Sequence, residues 1–310
     1  MRRVLALFLA ACLCMTLLGG CGTTPAADGR PRIVVTIYPV YDWVLNLLGE
    51  RAAEVDVTLL LSDGVDMHSF QPTVEDIVKV SSCDLLIYVG GESDEWIEDA
   101  LSEAVNPEIR ALNLLDVLGE RAREEELTEG MSGEADGALD EHVWLSLQNA
   151  RVLCAAISDA LRELDPGHDR AYDAALAVYD GKLAALDTAY QAAVDAAKYH
   201  TLLFADRFPF RYLTEDYGLD YYAAFSGCSA ETEASFATVA FLAGKLDELG
   251  LPAVLVIESA DGRLAQTVVQ STAEKNQKIL TLHSMQGSTN GASYLELMER
   301  NLNVLKEALN

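Results

Sequence analysis

Cysteines are few in this sequence of 310 residues, and none of them form a Cys-x-x-Cys pair. Only three follow Cys21, namely Cys83, Cys154 and Cys228, and they lie far apart. An odd number at such spacing predicts neither a disulfide framework nor a cysteine-based zinc site. We interpret Cys83 and Cys154 as small buried residues of the core. Cys228, in the segment SGCS, is harder to explain in that way.

Positive charge is scarce as well, since 22 lysines and arginines stand against 49 acidic residues and the formal net charge is −27. A surface of that sign repels phosphate groups, which excludes nucleic acid as a partner. After the first 20 residues no apolar run is long enough to span a bilayer. The sequence also lacks the GxGxxG and P-loop motifs, so an ATPase that works with this protein must be another chain.

The amino-terminal 31 residues predict export and anchoring. Arg2 and Arg3 precede an apolar run from Val4 to Leu18, a pattern typical of a signal peptide and too short to span a membrane. The following residues, LGGC, resemble a bacterial lipobox, which predicts a signal peptide over 1–20 and lipidation of Cys21. Residues 21–31 then read as a flexible tether. The alternative is an uncleaved anchor, and either way the domain is expected outside the cytoplasmic membrane.

The rest of the chain alternates short apolar runs with amphipathic ones, which predicts an α/β fold with parallel sheets flanked by helices. We expect an amino-terminal lobe over 32–165, a linking helix over 166–197 and a carboxyl-terminal lobe over 198–310. Asp165 and Pro166 are expected to start the linking helix, which would be about 45 Å long for about 30 residues. The predicted strands are 32–37, 55–61, 84–89 and 109–114 in the first lobe, and 201–205, 221–225, 253–257 and 279–282 in the second.

One acidic, glycine-rich segment, residues 119–140, interrupts this alternation. It contains almost no large apolar side chains, so we expect a mobile, solvated surface loop.

Two histidine segments carry the strongest functional signal: DMHSFQPT, which contains His68, and DEHVWL, which contains His142. Each places an imidazole beside carboxylates, and imidazole is a good ligand for zinc and other first-row metals. Either histidine alone would be interpreted as a solvated or helix-capping residue. Together they resemble the zinc- and manganese-binding lipoproteins that serve ABC transporters as solute receptors. In that family the ligand loops read Asp-Pro-His-x-(Phe/Tyr)-x-Pro-(Thr/Ser) and Asp-Pro-His-Val-Trp-Leu, so Met67 and Glu141 replace prolines here.

The resemblance implies a type III periplasmic-binding-protein-like fold, with two lobes joined by one long backbone helix. It also implies that a divalent metal is captured between the lobes and delivered to an ABC permease and its ATPase. Zn²⁺ is the expected ligand and Mn²⁺ the less favoured one.

The remaining ligands depart from the family pattern. His283 follows the last predicted strand, where the family carries an aspartate ligand, and Ala205 occupies the usual position of another ligand. Either His68, His142 and His283 form a site completed by water, Asp206 or Glu231, or the site has lost its metal. Three imidazoles with one oxygen suit zinc better than manganese.

Asp206 and Glu231 have a competing interpretation, in which they only pair with Arg207 or Arg211. Glu258, at the end of a predicted strand, is expected to orient a ligand through a hydrogen bond.

Two other function classes remain open. Three histidines and a water also describe a zinc-dependent hydrolase, although the sequence has no His-Glu-x-x-His or Gly-x-Ser-x-Gly motif. The other alternative is an adhesin or receptor whose cleft holds no metal. We expect a receptor and no catalysis.

Overall fold

Two four-stranded parallel sheets organise the protein, whose computed structural model describes residues 29–61, 64–131, 137–229, 233–286 and 289–310. The strand order is β2-β1-β3-β4 in the first sheet and β6-β5-β7-β8 in the second. All eight strands fall within or around the predicted runs, so the predicted parallel α/β architecture is confirmed. The strands are β1 (Arg32–Val35), β2 (Asp56–Leu59), β3 (Leu85–Tyr88), β4 (Arg110–Asn113), β5 (Thr201–Phe208), β6 (Asp220–Ser226), β7 (Ala253–Val256) and β8 (Lys278–Thr281).

Helices connect the strands, because parallel neighbours require a crossover. Residues from Pro31 to Asn310 form one compact unit. Among the described helices, none is both long and apolar enough to cross a bilayer. The helices are α1 (Tyr38–Leu48), α2 (Val74–Ser82), α3 (Trp96–Ser102), α4 (Leu114–Leu118), α5 (Leu147–Leu164), α6 (Asp169–Asp195), α7 (Arg211–Tyr217), α8 (Phe236–Leu249), α9 (Arg263–Ser271) and α10 (Tyr294–Ala308).

The long helix α6 spans 27 residues, which is about 40 Å at about 1.5 Å per residue. It packs against α5 and α1 on the side of the first sheet, and against α10 and α7 on the side of the second. Tyr190, fully buried, donates a hydrogen bond to the carbonyl of Met298 at 2.6 Å. The helix therefore contacts elements of both halves, as predicted for a linking helix.

The start of α6 differs from the prediction. Asp165 ends α5 as its C-cap, and α6 begins at Asp169 after His168. The carboxylate of Asp165 is engaged by Arg51 at 2.7 Å and by Tyr172 at 2.7 Å. Because these bonds hold Asp165 in the turn between the helices, it cannot serve as the N-cap of the second one.

The described parts of the acidic segment, 119–131 and 137–140, are exposed or half-buried apart from Asp140, as expected for a solvated surface loop, and hydrogen bonds tie them to the rest of the protein. Arg123 donates its backbone N–H to the hydroxyl of Tyr212 at 3.0 Å, and its carbonyl accepts the N–H of Asp140 at 2.7 Å. Glu124 forms an isolated antiparallel bridge with Leu139. Tertiary bonds to the second half of the chain thus order a segment that has little apolar surface of its own.

Candidate metal site

His68 lies in a short 3-10 helix (Met67–Ser69) in the connection that follows β2. Its Nδ1 is 3.0 Å from the hydroxyl of Ser93 and 3.4 Å from Oε2 of Glu141. Burial, together with the neighbouring His142, lowers the pKa of His68 to about 3. The imidazole is therefore neutral near pH 7, which is the form that binds a metal ion.

His142 is completely buried and is oriented by Asp140. Oδ1 of Asp140 lies 2.8 Å from the ring Nδ1, and it also accepts the backbone N–H of His142 at 2.8 Å. A carboxylate can only accept, so Nδ1 carries the proton and Nε2 keeps its lone pair. Gly227 lies against the same ring, and a Cβ there would come within 2.9 Å of Cε1.

The two imidazoles direct their Nε2 atoms at one point, where the side-chain amide of Gln286 also ends. The Nε2 atoms of His68 and His142 are 3.1 Å apart. Nε2 of Gln286 is 3.0 Å from that of His68 and 2.8 Å from that of His142. Nitrogen ligands at about 2.0–2.1 Å from a tetrahedral zinc ion would be separated by about 3.3–3.4 Å. The three atoms thus have nearly the spacing of ligands around one ion.

The amide of Gln286 can present either of its polar atoms to this point. The residue is 8% exposed, and its Oε1 has no hydrogen-bond partner within the described part of the chain. Rotation by half a turn about the last side-chain bond exchanges the oxygen and the nitrogen. Gln286 can therefore donate to both imidazoles without a metal, and supply a carbonyl oxygen with one.

A strained turn after β8 aims Gln286 at the histidines. Met285 adopts a left-handed conformation, φ 63°, which costs a residue other than glycine about 1–2 kcal/mol. His283 stabilises the turn, because its Nδ1 accepts the backbone N–H of Met285 at 3.0 Å. Trp144 donates from its indole N–H to the carbonyl of Ser284 at 2.9 Å. The turn is thereby fixed to the segment that carries His142.

An ion pair joins the segment of His68 to the second sheet. Arg207, near the end of β5, lies 2.7 Å from Oδ2 of Asp66. The other oxygen of Asp66 accepts the backbone N–H of His68 at 3.1 Å. Burial tends to raise the pKa of Asp66, but the charge and hydrogen bond of Arg207 outweigh it and leave this pKa below its ordinary value. The carboxylate stays ionised and holds the two segments together.

Cys228 follows β6 and lies beside the two histidines. One ligand atom from each of Cys228, His68 and His142 lies within 4.8 Å of the other two. Glu125, from the acidic segment, accepts the backbone N–H of Cys228 at 2.8 Å. Burial, and then the charge of Glu125, raises the pKa of the thiol. The cysteine spacing predicts no cysteine-based site, yet the fold brings this thiol next to both imidazoles.

Comparison with known proteins identifies the family. The sequence model described as "Zinc-uptake complex component A periplasmic", named ZnuA, matches residues 33–308. This chain belongs to the ZnuA family. The resemblance and the two-lobed fold inferred from the sequence are therefore confirmed.

One relative is the zinc-binding lipoprotein AdcA of Streptococcus pneumoniae, which is 30% identical to this chain over 304 residues. The match covers 96% of this chain and 60% of AdcA. The high-affinity zinc uptake system protein ZnuA of Bacillus subtilis is 27% identical over 307 residues, with 96% and 95% covered. The chain thus spans less than two thirds of the streptococcal relative. A solved structure, the Zn(II)-bound ZnuA-like domain of Streptococcus pneumoniae AdcA, superposes with a TM-score of 0.72 at 26% identity, covering 91% of this chain and 99% of that domain.

The other sequence-predicted site residues either do not belong to the group of close potential ligands around His68 and His142 or lie outside the described residues. Asp206 accepts the backbone N–H groups of Arg207 at 2.8 Å and Ile257 at 3.0 Å. Glu231, like the lipidation candidate Cys21, lies outside the described residues. Asp206 and Glu231 stay predictions as ligands.

His283 and Glu258 contact each other, since Nδ1 of His283 is 3.4 Å from Oε1 of Glu258. Glu258 also accepts the backbone N–H of Ser284 at 2.7 Å. Neither residue belongs to the group of close potential ligands found among the described residues. His283 as a ligand, and Glu258 as its orienting acceptor, stay predictions.

Sequence reasoning missed three residues at this site: Glu141, Cys228 and Gln286. Glu141 stands where the ZnuA-like motif usually has proline, and this departure is the one local signal for it. Its Oε1 accepts the backbone N–H of Ser93 at 2.8 Å, and a Cβ at Gly91 would lie 2.4 Å from this oxygen. Cys228 and Gln286 carry no local motif, because they reach the site only through the two-sheet topology.

Proposed function

We propose that this protein is the extracytoplasmic receptor of an ABC importer, which captures Zn²⁺ and delivers it to a membrane permease driven by a separate ATPase. The family description names a periplasmic zinc-uptake component, and the two relatives are named for zinc binding and high-affinity zinc uptake. Such a receptor performs no chemistry on its cargo. Neither the hydrolase nor the metal-free adhesin gains support from these names.

The metal is held by Nε2 of His68 and Nε2 of His142, with the rotated Oε1 of Gln286 as a further donor. The observation that carries this proposal is the convergence of two imidazoles whose Nε2 atoms are 3.1 Å apart. Without a cation two such lone pairs repel each other, and among the described residues the amide of Gln286 offsets that repulsion. A divalent ion replaces the repulsion by two coordinate bonds.

Zinc is favoured over manganese by the kind of donor. Imidazole nitrogen suits zinc, whereas manganese prefers carboxylate and carbonyl oxygens. Asp140, which orients His142, supplies negative charge without occupying a ligand position. Zinc is also compatible with the small number of donors at this point, and the carboxylates behind the imidazoles add negative charge without being ligands.

The direct test compares zinc affinity of the purified protein with that of His142→Ala, by competition against a chromophoric chelator. Loss of tight binding in the variant is expected, because one of the two nitrogen ligands is removed. His168→Ala is the matched control, since that histidine pairs with Asp165 at 3.0 Å in the turn before α6. Zinc binding that is absent from the unaltered protein, or indifferent to His142, would contradict the receptor function.

Membrane attachment is a separate part of the proposal. Cys21 is the residue that would carry the lipid, and the name of the streptococcal relative includes the word lipoprotein. Cys21→Ala should release the protein from the membrane fraction, while Cys83→Ala should not. Retention of the Cys21 variant in the membrane would argue for an uncleaved anchor.

A further inference from the structure

We propose that the sulfur of Cys228 is a ligand of the same metal, and that it makes the site selective for zinc over manganese. This inference rests on the proposed receptor function, and it adds a soft donor to the two imidazoles. The sequence pattern, the family description and the names of the relatives assign no role to this cysteine.

The first support is geometric. Each of Cys228, His68 and His142 contributes one potential ligand atom, and these atoms lie within 4.8 Å of one another. In a zinc tetrahedron with bonds of about 2.3 Å to sulfur and about 2.0–2.1 Å to nitrogen, sulfur and nitrogen would be about 3.6 Å apart. Since 4.8 Å is an upper limit on these separations, the sulfur needs to move by no more than about 1 Å, which is within the reach of a small side-chain and loop adjustment when the ion binds.

The second support is the amide of Gln286, which ends in the same space. This residue is 8% exposed, touches both imidazoles and leaves its Oε1 unpartnered among the described atoms. A buried polar oxygen normally has a partner, and a cation bound between this oxygen and the two imidazole nitrogens would supply one. Two nitrogens, one oxygen and the sulfur of Cys228 would complete a tetrahedral set.

The position of Cys228 is also fixed from the protein side. Its backbone N–H donates to Glu125 at 2.8 Å, and the preceding Gly227 lies against the ring of His142. The other two described cysteines have different surroundings. Cys83 donates to the carbonyl of Val80 at 3.2 Å within the core, and Cys154 is fully buried.

The chemistry needs no oxidant or reductant. On coordination the S–H bond of Cys228 breaks, the proton leaves to solvent and a sulfur–metal bond forms, with no change in oxidation state. Thiolate is a soft ligand that binds zinc far better than manganese. The sulfur therefore contributes to the affinity for zinc and little to that for manganese.

Cobalt(II) is the probe, because a cobalt–thiolate bond produces a charge-transfer absorption band in the near ultraviolet that nitrogen and oxygen ligands do not. We would titrate Co²⁺ alone into the purified protein, into Cys228→Ser and into the control Cys83→Ala/Cys154→Ala. The band is expected in the unaltered protein and the control, and absent from Cys228→Ser. Zinc affinity of Cys228→Ser should fall by at least about 100-fold, more than the loss of an outer hydrogen bond causes, while manganese affinity changes by less than about tenfold.

The outcomes separate the two proposals. If the protein binds zinc through the histidines but shows no thiolate band, and Cys228→Ser keeps full zinc affinity, the sulfur ligand is refuted and the receptor function stands. If the unaltered protein binds neither ion, both fail. If Cys228→Ser does not fold, judged by its metal-free melting, the band in the Cys83→Ala/Cys154→Ala control decides the question, because Cys228 is then the thiol left in the described chain.

Discussion

Replacing Asp140 by asparagine tests how the protein prepares His142 for the metal. The carboxylate lies 2.8 Å from Nδ1 of the ring and is almost completely buried. It fixes the tautomer that leaves Nε2 unprotonated, and its charge increases the basicity of the ring. Asparagine has nearly the same shape, but it removes the charge and can present a donor instead of an acceptor to Nδ1.

The size of the effect follows from the kind of bond that is lost. A hydrogen bond to a charged group contributes about 1.5–3 kcal/mol. At about 1.4 kcal/mol for each factor of ten, Asp140→Asn should weaken zinc binding by about 10- to 100-fold. That range also describes the usual cost of losing an orienting partner of a metal-bound histidine.

Chelator competition at pH 7.5 measures this change, with Asp165→Asn as the matched control. Asp165 forms the same type of contact with His168, at 3.0 Å, but in the turn between α5 and α6. The control should bind zinc like the unaltered protein, although it should unfold more easily because the acceptor of Arg51 and Tyr172 loses its negative charge. Equal zinc affinity for Asp140→Asn and the unaltered protein would refute the orienting role of Asp140.

Three further changes test other parts of the structure. Gln286→Glu should raise zinc affinity at least about tenfold in the same competition, since a carboxylate replaces a neutral amide, and weaker binding would count against Gln286 as a donor. Gly227→Ala should lower the free energy of unfolding and weaken zinc binding, each by about 1–3 kcal/mol, because its Cβ would lie 2.9 Å from the His142 ring. An unchanged zinc affinity would show that the ring can move. Burial, and to a lesser extent the charge of Glu141, raises the pKa of Asp94 to about 7, although the backbone N–H groups of Gly90 and Val89 oppose this shift. The metal-free protein should therefore lose stability as the pH rises from about 4 to about 7, by up to about 4 kcal/mol, whereas denaturation of Asp94→Asn should not show this loss.

The fold was predictable because its signals are local. The inner strands are short apolar runs, such as Ile33 to Val35, which is buried as a central parallel strand requires, whereas edge strands such as β4 and β8 are partly exposed. The error at Asp165 has a tertiary cause, since Arg51, distant in sequence, takes the carboxylate that would have capped α6. The hydrogen bonds that tie down the acidic segment are also tertiary and carry no local signal, because the partner of Arg123 is Tyr212 of the second half.

The site was predictable only where a single segment contains its signal. His68 and His142 each have at least one acidic residue within two positions, so their chemistry can be seen locally. Cys228 and Gln286 follow β6 and β8, and they meet the histidines because parallel strands bring their carboxyl ends to one edge of each sheet. Neither a thiol nor an amide marks a metal site without that knowledge of topology.

The charges around the site explain why a divalent cation suits it. Two imidazoles and the neutral amide of Gln286 line the site, while Asp140 and Glu141 behind them are almost completely buried. Burial raises the pKa of Glu141, and its Oε2 has no hydrogen bond within the described chain. Buried carboxylates without a compensating charge are unfavourable, and Arg207 is engaged by Asp66. A zinc ion between the imidazoles places two positive charges beside these carboxylates, so the protein should be most stable with its cargo bound.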